Sequence, residues 1–201
     1  MTARPVLVVA TLNVQKGREL AGLLAGVPYD VRALADMAGA ALPEEGATSY
    51  RENAVLKARA AARFARAHAL ADDSGLEVDA LGGAPGVLSA RFGGPGLDDA
   101  GRVGHLLQRL AGVEPARRTA RFRCVIALVD PAGAEQVVEG VVDGIIAEAP
   151  RGSGGFGYDP VFFSPPLART FAELTDAEKA RVGHRGLALA TARRVLARWE
   201  R

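Results

Sequence analysis

Cysteine is almost absent from these 201 residues: Cys124 stands alone, so the chain can form neither an internal disulfide nor a multi-cysteine metal site. Set in the middle of FRCVIALV, it reads as a small core residue. Long apolar runs are lacking too. Val6 to Ala10 (VLVVA) is far too short to span a bilayer, and no signal-peptide core follows Arg4, so the expectation is a cytoplasmic protein with no membrane partner. Aromatic residues make up 5%, and the net charge of +2 is too weak to argue for a nucleic-acid partner, even at a sequence pI near 9.0. Lysine is the most telling scarcity, since of 25 basic side chains only Lys16, Lys57 and Lys179 are not arginine. Where arginine serves as the generic surface cation, a lysine marks a place that wants a compact, flexible point charge, such as a phosphate contact. Lys57, on a long amphipathic helix, reads equally well as a chance survivor. What is abundant is alanine and glycine, with 24% of residues charged. That composition and length fit one soluble α/β domain over residues 1–201, or one whose sheet carries two lobes.

The chain is organised around Leu70 to Gly86, LADDSGLEVDALGGAPG. An apolar lead runs into Asp72 and Asp73, and the spacing predicts a strand that delivers two acids to its end, followed by a Ser74-Gly75 turn. Side chains alternate along a strand, so only one of the two carboxylates faces a given cleft. Such a strand end suits a divalent cation and a positioned water; an isolated DDSG would read as a solvated turn. The rest of the chain tips the choice.

Val6 to Ala10 has the unbroken apolar character of a strand buried on both faces, and a helix follows from about Lys16 to Leu24. Strand, polar turn and helix together aim backbone N–H groups at an anion, with Asn13 and Lys16 as side-chain donors. The turn lacks the glycine spacing of a Walker A loop. Tyr29 to Ala33 reads as a second strand, and Glu44-Glu45 as a solvated turn. Ser49 and Glu52 form a capping box for a helix to Ala67 with a small-residue stripe at Ala54, Ala58, Ala61, Ala62 and Ala65. Asp98 caps a helix to Leu110 on which His105 is a packing or surface residue. Thr119–Val129 and Glu135–Glu148 alternate and are joined at Pro131-Ala132-Gly133, a hairpin that extends a βα sheet into a mixed one. Gly152 to Gly157 matches G-x-G-x-x-G, but Tyr158-Asp159-Pro160-Val161-Phe162-Phe163, which reads as extended chain with a proline inside, follows where a helix should open, so the match is read instead as a backbone-lined loop whose Phe156 can stack on a flat ligand. Thr175 or Asp176 caps a short turn bearing Glu178 and Lys179. His184-Arg185 then leads into a last helix, Leu187 to Trp199.

In order and spacing, ATLNVQKGREL, the Glu44-Glu45 turn, SYRENAVLKA, LADDSGLEVDALGGAPGVLSARF, GGFGYDPVFF and AELTDAEKARVGHRG resemble the nonstandard purine nucleoside triphosphate pyrophosphatases, the inosine triphosphatase-like enzymes. The resemblance covers nearly the whole chain. It implies an α/β fold with a long mixed central sheet flanked by helices, two lobes around a nucleotide-binding cleft, a Mg2+ requirement and a homodimer. It places Thr11, Leu12, Asn13, Val14, Gln15 and Lys16 in a phosphate-binding loop. It also puts Glu44 and Asp73 at the metal, with Asp72 and Glu45 nearby, and makes Asp73 the water-activating acid. Ser74 falls on a substrate contact, Phe156, Gly157, Tyr158 and Asp159 on a nucleotide loop, and Lys179, His184 and Arg185 on the same pocket. The chain departs from the pattern at Leu12 and Gln15, where glycines are common, and at Gly183, where a serine is common. The implied reaction is hydrolysis of ITP, dITP or XTP to the monophosphate and pyrophosphate, with His184 and Arg185 donating to a 6-keto purine. The alternatives are a pyrophosphatase for modified pyrimidine triphosphates and a non-catalytic nucleotide sensor. A third, an Arg-rich nucleic-acid binder, rests on Arg117, Arg118, Arg121 and Arg123.

Overall fold

The structure, a computed structural model, describes residues 4–44, 46 and 49–199. Seven strands form one mixed sheet in the order β2-β1-β3-β4-β5-β6-β7. Their ranges are β1 Val6–Val9, β2 Asp30–Ala33, β3 His68–Val78, β4 Thr119–Val129, β5 Glu135–Ile146, β6 Phe162–Ser164 and β7 Arg169–Thr170. The helices are α1 Val14–Leu23, α2 Tyr50–Ala65, α3 Asp99–Arg109, α4 Asp176–Val182 and α5 His184–Trp199. None is long and apolar enough to cross a membrane among the described residues. The chain divides into two compact units. One runs to Asp73 and includes Cys124–Gly140 and everything from Arg185; the other comprises Ser74–Arg123 and Val141–His184.

In the first unit, β1 lies between β2 and β3 and pairs with both in parallel, Val8 facing Arg32 on one side and Ala69 on the other. That double coverage is why its sequence is continuously apolar. Helix α1 begins two residues before the periodicity suggests, because the Asn13 side chain caps it by accepting from Lys16 N. Leu20 and Leu24 of this helix segment are buried with Leu7, Leu70, Ile126, Leu189 and Leu196, and Cys124 belongs to the same cluster. On α2 the stripe Ala54, Ala58, Ala61 and Ala62 is buried, with the Ser49 cap holding Glu52 N.

In the second unit, Phe122, Phe162 and Phe171 pack with Val103, Leu106 and Leu110 of α3 and its C-cap. The rings of Phe122 and Phe162 lie 4.3 Å apart. Gly144 is where β5 admits this cluster, since a Cβ there would come within 2.6 Å of the Phe162 ring. His105 packs edge-on against Phe92, as a packing histidine should.

Two expectations change. Ser74 and Gly75 do not form a turn: β3 continues through them to Val78, because Leu76 and Val78 are themselves buried strand positions. The segment around Tyr158-Asp159-Pro160 is a series of turns rather than extended chain, and only Phe162–Ser164 joins the sheet. No helix opens after the glycine loop, which agrees with rejecting a dinucleotide fingerprint.

Candidate active site

The acid doublet of β3 is buried, Asp72 at 1% exposure and Asp73 at 5%. Strand alternation gives each its own partners, all within the first unit. Asp72 Oδ2 lies 3.5 Å from Lys16 Nζ and accepts from Arg185 Nε at 3.3 Å. Asp73 Oδ2 accepts from Asn53 Nδ2 at 2.9 Å, while its Oδ1 lies 3.7 Å from Lys57 Nζ. Burial by itself would push the Asp72 carboxyl up; Lys16, then Arg185 and Lys57, outweigh it and hold the group well below the usual carboxylate range. A buried acid kept charged by three cations is an expensive arrangement to build without a use for the charge.

Lys57 is the site residue that the sequence reading passes over. Its side chain is 7% exposed and turned to Asp73 rather than to solvent. A signal was there: Asn53 and Lys57 stand one helical turn apart on the same flank of α2 as the buried alanine stripe.

The loop before α1 is ordered by its own side chains. Thr11 Oγ1 accepts from Asn13 N at 3.2 Å, and Asn13 Oδ1 from Lys16 N at 2.9 Å, fixing the turn at the helix N-terminus. Leu12 and Val14 are exposed there, at 55% and 62%. The Gln15 side chain, and Glu45 as a whole, lie outside the described residues. Glu44 is exposed in the loop that follows β2. Among the described residues, no three His, Cys, Asp or Glu side chains converge on a common point. The all-oxygen donors Asp73 and Glu44 suit a hard cation such as Mg2+, which takes one or two carboxylates and completes its shell with water and phosphate oxygens.

Arg185 departs from its expected role. At 4% exposure it is clasped between Asp72 and Glu19, whose Oε2 accepts from Nη1 at 2.9 Å. Its N–H groups thus brace the acid pair in the first unit, because α5 starts three residues early and carries Arg185 in its first turn.

The second unit holds the ring-binding candidates. Phe156 N donates to Asp159 Oδ2 at 2.9 Å, and the same oxygen accepts from Lys179 Nζ at 2.6 Å. The Lys179 ammonium also sits 4.7 Å above the Phe156 ring centroid, a cation–π contact. Lys179 is thus paired within this unit. Gly157 N donates to Asp99 Oδ2 and Tyr158 Oη to Ser89 O, both within 2.8 Å, so the loop is tied at successive residues. The buried Tyr158 hydroxyl is pushed well above its ordinary range by desolvation. His184 stacks on Phe122 at 4.6 Å, which fixes its imidazole plane. Ser74, half-buried on β3, opens this unit. Of the four arginines named for nucleic acid, Arg117 is exposed, Arg118 donates to Leu110 O and Val113 O, and Arg121 and Arg123 pair with Glu77 and Asp79.

The chain matches known proteins over nearly its whole length. The Ham1 family model matches residues 7–195. The chain is 50% identical over 183 residues to the dITP/XTP pyrophosphatase of Geobacillus kaustophilus, covering 91% of this chain and 90% of that one. It is 51% identical over 183 residues to the dITP/XTP pyrophosphatase of Thermus thermophilus, covering 91% and 87%. A solved HAM1 protein from Coxiella burnetii superposes with a TM-score of 0.88 at 40% identity, covering 96% of this chain and 99% of that one. With the family model matched over residues 7–195 and relatives about half identical over most of its length, the chain belongs to the Ham1 family.

Proposed function

We propose that this chain hydrolyses nonstandard purine nucleoside triphosphates, ITP, dITP and XTP, to the nucleoside monophosphate and pyrophosphate. The observation that carries the reading is the buried acid doublet of β3, each member served by its own lysine. Relatives named dITP/XTP pyrophosphatase at about half identity support the substrate class.

Phosphoryl chemistry asks a protein for positioning and for charge complementarity more than for covalent steps. In this reading, the N-terminus of α1, with Thr11, Asn13 and Lys16, receives the phosphate tail. Mg2+, when bound, neutralises the triphosphate and polarises its oxygens; Asp73 and Glu44 would hold it. Asp73 directs a water at the α-phosphorus, and Lys57 and Asn53 hold that carboxylate in place. The second unit offers Phe156 as a stacking face and His184 as a donor toward a 6-keto oxygen. With Arg185 committed to Asp72 and Glu19, selection against a 6-amino purine falls mainly to His184 and the loop from Phe156 to Asp159. A donor facing the amino group of adenine leaves both unsatisfied, at roughly 1 to 3 kcal/mol per mismatch. The family resemblance also supports a homodimer acting in the cytoplasm.

The test is a Mg2+-dependent assay across ITP, dITP, XTP, GTP, ATP and modified pyrimidine triphosphates, with products identified. Pyrophosphate release from the 6-keto nonstandard purines, at least about tenfold faster than from ATP, is expected; equal rates on ATP refute the substrate class. Asp73→Asn should keep the fold and lose most turnover, and near-normal turnover removes Asp73 from the chemistry.

A further inference from the structure

We propose that Asn53 is a positioning residue for Asp73, setting the direction in which that carboxylate is presented; the inference rests on the role given to Asp73 above. Asparagine is a poor choice for this position on local grounds. It lies within α2, where its side chain competes with the backbone for hydrogen bonds, and it is fully buried at 0% exposure. Its Oδ1 finds no hydrogen-bond partner among the described residues. An isosteric leucine would fill the same space on the alanine-lined flank without burying a carbonyl oxygen. What leucine cannot supply is the bond from Nδ2 to Asp73 Oδ2 at 2.9 Å.

That bond does something Lys57 does not. An ammonium 3.7 Å from Oδ1 attracts charge with little demand on angle, whereas a 2.9 Å amide bond is directional. A carboxylate can only accept, so the amide's orientation follows from its partner: nitrogen toward Asp73, oxygen away. Both donors come from α2, one turn apart, so the helix grips one oxygen with each. The neighbouring Asp72 lies against two cations, Lys16 and Arg185. Asp73 has in Asn53 a neutral directional donor on a buried helix face.

The test compares Asn53→Leu, Asn53→Ser, Asp73→Asn and the Asn53→Leu/Asp73→Asn pair in the full chain. Turnover of dITP is measured beside thermal melting of the nucleotide-free protein with and without Mg2+. Asn53→Leu is expected to melt within a few degrees of the parent, to lose kcat at least about tenfold while KM stays within about twofold, and to gain less melting temperature from Mg2+. Unchanged kcat, or a loss confined to KM, overturns the proposal. Should Asn53→Leu fail to fold, Asn53→Ser is judged by the same criteria. In the pair, adding Asn53→Leu should cost Asp73→Asn nothing further; an independent second loss means that Asn53 does not act through Asp73. An active Asp73→Asn refutes the reading of Asp73 itself, whereas an inactive Asp73→Asn beside an active Asn53→Leu refutes only the positioning role.

Discussion

A buried lysine is judged by what its removal leaves behind. Lys57→Met keeps the apolar stem and deletes the charge, leaving the Asp73 carboxylate its bond from Asn53 but not the Lys57 ammonium. Breaking a buried pair from one side costs stability, here about 1 to 3 kcal/mol, and losing an electrostatic contact at the carboxylate proposed to direct the water should lower kcat about a hundredfold. Urea melts and dITP turnover measured together check both, and turnover within threefold of the parent would make Lys57 a structural cation. Asp72, Asp73 and Lys16 were legible from the sequence because the doublet interrupts an apolar strand and the lysine opens a helix after a strand. Lys57 was not, since burial depends on which flank of α2 turns inward, and a stripe of alanines sets that angle only loosely. Arg185 was singled out by the sequence, but its bonds to Asp72 and Glu19 were not legible there. Nothing in His-Arg-Gly says that the guanidinium would turn to Glu19, 166 positions away.

At the scale of elements, caps and periodicity told most of the story, and they also place function. Helix α4 carries Lys179 and is begun by a capping box, Thr175 Oγ1 accepting from Glu178 N while the Glu178 carboxylate accepts from Thr175 N. Arg169 donates to the same carboxylate, and that bond together with the cap holds Glu178 down to about 2, from 4.5. A carboxyl with a lowered folded pKa contributes stability that is complete above its unfolded value and is lost as pH falls toward the folded one. The parent should therefore lose melting temperature between about pH 4.5 and pH 2 partly through this group. Glu178→Gln should lower the melting temperature at pH 7 and flatten that acid slope; an unchanged slope would show that the box is idle. Thr175→Ala should cost about 1 kcal/mol at neutral pH, read from urea melts. The same local logic failed at Ser74-Gly75. Serine and glycine signal a turn, but the buried positions of Leu76 and Val78 draw the strand onward, and tertiary burial outweighs local preference.

For the whole molecule, the scarcity that opened the sequence returns as a stability limit. Parallel strand order and the mixed sheet could be inferred from unbroken apolar β1 and from the alternating β4 and β5. The division into two compact units, with breaks at Asp73/Ser74, Arg123/Cys124, Gly140/Val141 and His184/Arg185, falls inside β3, inside β4, inside β5 and in the first turn of α5, where no change of composition announces it. Cys124 opens one of those segments, is fully buried, and has its thiol pushed far above 9.0, first by desolvation and then by the Asp72 charge. A group whose folded pKa is raised supports the fold below its unfolded value, and the support drains as pH climbs beyond it, by up to about 1.4 kcal/mol per pH unit for one proton. Tyr158, also raised by burial, adds a second such drain above 10.0. The parent should thus lose stability steeply above pH 9, while Cys124→Ala, weakened at neutral pH by a small cavity, should show a shallower alkaline limb. Urea melts from pH 7 to 10.5 separate the two. Parallel limbs for parent and variant would mean that the thiol ionises without unfolding the core, and that the alkaline limit lies with Tyr158 alone.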